Sequence, residues 1–154
     1  MSAVQPITDY ETASAADHMF VTMRIDRQLF GVPVKNVRDV LRQQQITRIP
    51  LSPQEVAGSL NLRGRIVTVI DVRRRLGLPE SADTGGSMFV VVDYKGELYS
   101  LMVDSVGEVL NVAQNAIEKT PAHLSGAWKD VATGIHKLVD ELLVIIDVKT
   151  MLSL

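Results

Sequence analysis

Apolar residues in this chain fall in short β-branched runs with rough alternation, a period that predicts strands rather than long helices. Phe20 to Ile25 and Leu29 to Val34 flank Asp26-Arg27-Gln28, which predicts a β-hairpin. Val37, Val40 and Leu41 suit one face of a helical turn or a strand, and a turn at Lys35-Asn36 followed by a strand is preferred. Ile46 to Pro53 contains two prolines that cannot donate to a ladder, so a loop is expected there, leading into a brief helical turn at Gln54 to Ala57. Ser59 to Leu62 and Ile66 to Ile70 flank Arg63-Gly64-Arg65, a tight turn with Gly64 at positive φ. Asp71 is a good N-cap for a short helix Val72 to Leu76 ended by Gly77, and Asp147 repeats the device before Val148 to Leu152.

The same pattern occurs twice. At a constant offset of 69 residues, Phe20/Phe89, Val21/Val90, Leu29/Leu98, Val34/Val103, Val37/Val106, Val40/Val109 and Leu41/Leu110 are identical. At an offset of 76, Gly58/Gly134, Leu62/Leu138, Ile70/Ile146, Asp71/Asp147, Val72/Val148 and Leu76/Leu152 follow. Matching apolar positions in two copies are what a shared backbone demands. About five short strands per copy predict a mainly β fold of two small barrels, with short helices including a C-terminal one. The expected organisation is a disordered tail over 1–17, lobe one over about 18–82, a linker over about 83–87 (DTGGS) and lobe two over about 88–154. The alternation equally allows a C-terminal segment such as Leu142 to Asp147 to return to the first lobe and complete its sheet.

Composition narrows the function. Each half, at roughly 65 to 70 residues, buries only a marginal core alone, so the halves are expected to lean on each other. A net charge of −2 gives no electrostatic footprint for nucleic acid or an anionic membrane. There is no cysteine, which removes thiol nucleophiles, disulfides and thiolate metal sites. No apolar run approaches the length of a membrane span, and no basic start precedes an apolar stretch at the N-terminus, so a cytoplasmic protein is expected.

Catalytic motifs are missing from the pattern. His18, His123 and His136 are not spaced as helical metal ligands, and no nucleophile elbow, phosphate-cradling loop or dinucleotide fingerprint occurs, so neither metal nor cofactor is expected. Asp71 and Asp147 occupy equivalent repeat positions, where capping accounts for both. Arg73-Arg74-Arg75 forms a basic cluster with little aromatic interleaving, which suits a solvated face better than a nucleic-acid groove. Asn61-Leu62-Arg63-Gly64 differs in kind, because the second copy has Lys137-Leu138-Val139-Asp140 there. Divergence on a shared backbone points to use.

Taken with FGVPVKNVRDVL, ITRIPLSPQEVAGSLNLRGRIVTVIDVRRRLGL, LMVDSVGEVL and ATGIHKLVDELLVIIDVKTML, the chain over roughly 18–154 resembles the CheW family of bacterial chemotaxis coupling proteins. The resemblance implies two SH3-like β-barrel subdomains and a non-catalytic adaptor, recruited to membrane-associated arrays. Its implied partners are the cytoplasmic tips of methyl-accepting chemoreceptors and the regulatory domain of a CheA-type histidine kinase. A CheW-like scaffold of a type IV pilus or developmental chemosensory pathway is the alternative. By the same resemblance, Val37, Asp39, Gly58, Arg63 and Gly64 are candidate kinase contacts. A receptor helix laid in an apolar groove between barrels would have Val32, Val34, Leu101, Val103 and Val106 as candidate walls, although for each of them a place in the core is the favoured reading. Asp39 stands where the family more usually has glutamate. Thr68 stands where proline is common, adding a backbone donor that would leave an edge less protected.

Overall fold

The first hairpin forms where the alternation predicts it. In the computed structural model, which describes residues 18–42, 44–79, 86–121 and 126–153, β1 (Met19–Ile25) and β2 (Gln28–Pro33) pair antiparallel from Ile25↔Gln28 to Phe20↔Pro33. Asp26 and Arg27 both take positive φ, which matches the strand twist at a two-residue turn. The expected tail, 1–17, and residues 83–85 of the expected linker lie outside the described residues.

A 3₁₀ turn at Val34–Asn36 leads into β3 (Val37–Leu41), as the turn-then-strand reading expects. The expected helical turn at Gln54 to Ala57 is a correction: Gln54-Glu55 form a plain turn, and β4 (Val56–Leu62) already begins at Val56. Val56 pairs with Ile70 across the ladder, and a lone helical turn cannot compete with that pairing. β4 turns through Arg63-Gly64 into β5 (Arg65–Asp71), and Asp71 caps α1 (Val72–Arg75) by accepting from the Arg74 amide. Then come β6 (Met88–Tyr94), β7 (Glu97–Val103), β8 (Ser105–Asn111), α2 (Gly126–Val131), β9 (Ala132–Lys137), β10 (Leu142–Ile146) and α3 (Val148–Leu152), whose cap is Asp147.

Two five-stranded sheets result, in the orders β8-β1-β2-β10-β9 and β3-β6-β7-β5-β4. Contiguous lobes over 18–82 and 88–154 therefore do not describe the sheets: each takes its first hairpin from one copy and its other three strands from the other copy. The expected return of Leu142 to Asp147 is one part of a reciprocal exchange, with β10 parallel to β2 and β5 parallel to β7. The two ladders share one register. Val21↔Val109 in one sheet is Val90↔Val40 in the other, and Ile145↔Gly134 corresponds to Val69↔Gly58. Even the bulges fall at equivalent places. Two copies of one pattern have folded into two copies of one SH3-like sheet.

Each barrel encloses its own apolar core. Phe20, Leu29, Val112, Leu143 and Ile145 fill one, while Leu60, Val67, Val69 and Phe89 fill the other. A larger cluster draws Met23, Phe30 and Val32 from the first sheet together with Ile70, Val90 and Leu101 from the second. Trp128 of α2 joins it, its ring centroid 5.4 Å from that of Phe30. The shared core explains why neither half need be stable alone.

A polar clasp ties the sheets at one end. Arg73 of α1 donates to Asp104, at 3.0 Å from Nε and 2.5 Å from Nη2, and to the Pro79 carbonyl at 2.9 Å. Asp104, between β7 and β8, also accepts from the Asp26 amide in the β1–β2 turn. Burial pushes the Asp104 carboxyl up, but the Arg73 hydrogen bonds, the Asp26 amide and the Arg73 charge together hold it below its ordinary range. A carboxylate depressed in the folded state contributes stability above its unfolded pKa and loses it as pH falls through the folded one. Thermal melts are thus expected to fall below about pH 4, and Asp104→Asn to flatten that acid limb. Glu141, held down by its hydrogen bonds to Arg24, leaves a residual slope in that variant. An unchanged acid limb in Asp104→Asn would remove the clasp from the account of acid stability.

Candidate functional site: a barrel mouth with paired charges

The ladder of β3 contains a bulge between Val37 and Asp39. Without it, Asp39 would oppose Val90 and share the face that carries Val37 toward the central core; with it, Asp39 opposes Val91 and Leu41 packs into the barrel. Across the mouth, the Gly64 amide donates to Asn61 Oδ1 at 2.8 Å, and Arg63 and Gly64 both adopt positive φ. A Cβ on Gly64 would meet nothing within 4 Å, so this glycine serves the turn geometry and leaves the surface open.

These two local devices bring residues 24 apart into contact. Arg63 donates from Nη2 to Asp39 Oδ2 at 3.1 Å, with the Arg63 side chain 78% exposed and that of Asp39 25%. So exposed a pair adds at most about 1 kcal/mol to stability. Beside it, Arg38 Nε lies 3.5 Å from Asp93 Oδ2, and Asp93 also accepts from the Gly96 amide. Leu62 and Leu98, packed on the barrel core, form the floor of the shallow depression that these charges and Arg65 surround. Val40 and Ile66 are exposed nearby on the same sheet. Such a surface offers an apolar centre within a charged rim and suits protein docking.

Of the candidate kinase contacts, Asp39, Arg63 and Gly64 come together here. Val37 is partly buried against the central core. Gly58 is buried, and an added Cβ would sit 2.3 Å from the Thr47 carbonyl oxygen, so its site requirement is close packing. Arg38, Arg65 and Asp93 were not among the sequence candidates. Arg38 and Arg65 adjoin residues that were, whereas Asp93 becomes visible only once β6 is known to pair with β3.

For three of the candidate receptor walls the favoured core reading holds, and it is the groove that needs correction. Val32 and Leu101 are fully buried and Val103 is 1% exposed, all in the central cluster, because the faces that carry them meet the opposite sheet. Val34 and Val106 pack against that cluster but keep some exposed surface. No groove runs between the barrels along Val32, Leu101 and Val103. Thr68 needs correction too: β5 lies between β7 and β4, with Thr68 opposite Tyr99 and Ser59, so it exposes no edge.

Known proteins place this architecture. The chemotaxis protein CheW of Bacillus subtilis is 30% identical over 136 residues, covering 86% of this chain and 85% of that protein. A probable chemotaxis protein CheW of Rhizobium etli is 27% identical, covering 93% and 92%. The crystal structure of the scaffolding protein TtCheW from Thermoanaerobacter tengcongensis superposes with a TM-score of 0.80 at 29% identity, covering 90% of this chain and 94% of that one. The family described as CheW-like domain matches residues 19–154, and the chain belongs to that family.

Proposed function

We propose that this chain is a non-catalytic chemotaxis adaptor that couples the cytoplasmic tips of chemoreceptors to the regulatory domain of a CheA-type histidine kinase. The observation that carries the reading is the Arg63–Asp39 pair at an open barrel mouth, present in one copy of the repeat and replaced by Val139 and Glu108 in the other. A duplicated fold that keeps its core and changes one mouth has specialised that mouth. The kinase regulatory domain docks there, with Leu62 and Leu98 beneath and the charges at the rim. Receptor contact falls to Val34 and Val106, which keep exposed surface, while Val32, Leu101 and Val103 support them from the core.

Titration of the purified protein against the isolated kinase regulatory domain of the same genome tests the reading. Arg63→Ala is expected to weaken binding about tenfold, an interfacial charge costing on the order of 1 to 2 kcal/mol, with thermal stability changed by less than about 1 kcal/mol. Asp39→Ala is expected to act in the same direction. Absence of saturable binding by the folded wild-type protein would reject the kinase-coupling assignment.

A further inference from the structure

We infer that Arg65 is a specificity-determining cation of this mouth, left uncommitted in the free protein to meet a carboxylate on the protein that docks there. The inference rests on the docking reading above and adds a partner chemistry to it. Three cations, Arg38, Arg63 and Arg65, and two carboxylates, Asp39 and Asp93, line the depression. Arg63 pairs with Asp39 and Arg38 with Asp93. Arg65 is exposed, and its side chain makes no hydrogen bond or ion pair among the described residues.

The duplication supplies an internal comparison. Arg65 corresponds to Glu141 (141 − 65 = 76) and Asp93 to Arg24 (93 − 24 = 69), the same two offsets that align the strands. In the other barrel these counterparts close on each other: Arg24 donates to both oxygens of Glu141, at 2.9 and 2.8 Å. The backbone positions therefore permit a bidentate pair, and the first mouth carries the same pair with its signs reversed. It stays open, and Asp93 instead lies 3.5 Å from Arg38 Nε. The residue corresponding to Arg38 is Gly107 (107 − 38 = 69), which has no side chain to compete with Arg24 for Glu141.

An unpaired guanidinium at the rim of a leucine-floored depression is matched by a carboxylate of planar, two-oxygen geometry. Docking would exclude water from the pair and strengthen it, whereas a neutral or basic residue opposite Arg65 would be penalised. The occupant is thus a protein surface that places an acidic side chain over the mouth.

The test uses the full chain and the isolated regulatory domain of the CheA-type kinase from the same genome, at two salt concentrations. Arg65→Ala is expected to weaken binding about tenfold and Arg65→Glu about a hundredfold. Arg65→Lys should retain most of the affinity, and the Ala variant should show a shallower salt dependence. Thermal melts should stay at the wild-type value, since the side chain makes no internal bond. If Arg63→Ala weakens binding while Arg65→Glu stays within twofold of wild type, the docking reading stands and the role of Arg65 is overturned. If wild type does not bind, both fall.

Discussion

Gly58→Ala is expected to destabilise the protein by about 3 kcal/mol or more, a loss far larger than its single methyl group suggests. The added Cβ would lie 2.3 Å from the Thr47 carbonyl oxygen, 2.7 Å from Ile46 Cγ2 and 2.9 Å from the Thr47 carbonyl carbon. Two of those atoms are backbone and held in place, because Thr47 and Ser59 exchange hydrogen bonds of 2.8 Å in both directions. The backbone at Gly58 also has φ +150, which L side chains rarely adopt, so relief by local rotation is closed as well. Gly134, its repeat counterpart, meets the Glu118 carbonyl oxygen at 2.7 Å without a positive φ, so Gly134→Ala should cost less, about 2 kcal/mol. Gly64→Ala meets nothing and carries only the strain of φ +87, about 1 kcal/mol. Urea denaturation of the three variants should give the order Gly58, Gly134, Gly64. A Gly58→Ala variant within 1 kcal/mol of wild type would show that the loop bearing Thr47 moves away from β4 at little cost. Loss of kinase binding by Gly58→Ala would then need to track the unfolded fraction, whereas Arg63→Ala should lose binding while fully folded.

The strands were legible in the sequence because each hairpin announces itself twice, by alternation and by a turn at fixed offset. The sheets were less so. Whether the first hairpin of each copy stays with its own three strands or changes places is a choice between identical registers, since Phe20 and Phe89 present the same side chain to equivalent neighbours. Local pattern is blind to that exchange, in which the short connection Val34–Asn36 carries the chain from β2 of one sheet to β3 of the other. The site was half legible. Val37, Val40 and Leu41 break the alternation of a regular strand, and that break is the bulge that turns Asp39 to the barrel mouth. A helix-or-strand ambiguity in so short a run was the trace of a bulge. The buried valines were the opposite case, because an apolar residue on a strand reads alike whether it faces a partner or a second sheet.

Leu101→Ala is expected to cost about 3 kcal/mol, and the result decides between the two roles open to this residue. Leu101 lies on β7, opposite Val90 of β6 and Ile70 of β5, and is fully buried with both in the central cluster. Truncation removes three heavy atoms from a site walled by strands of two sheets, and collapse around the cavity would require the sheets to approach. Leu101→Met, which nearly keeps the volume, should cost under about 1.5 kcal/mol. Val106→Ala is the contrasting case: partly exposed on β8 at the end of its sheet, it should cost about 1 kcal/mol. A wall of an open groove would behave in the reverse way, with Leu101→Ala sparing stability and weakening the receptor tip. Denaturation and receptor-tip titration on the same samples separate the roles, provided binding is compared where each variant is fully folded. Under that condition Leu101→Ala should bind the tip within a few-fold of wild type while Val106→Ala weakens it. The opposite pattern would return Leu101 to the interface and require the two sheets to part when the receptor binds.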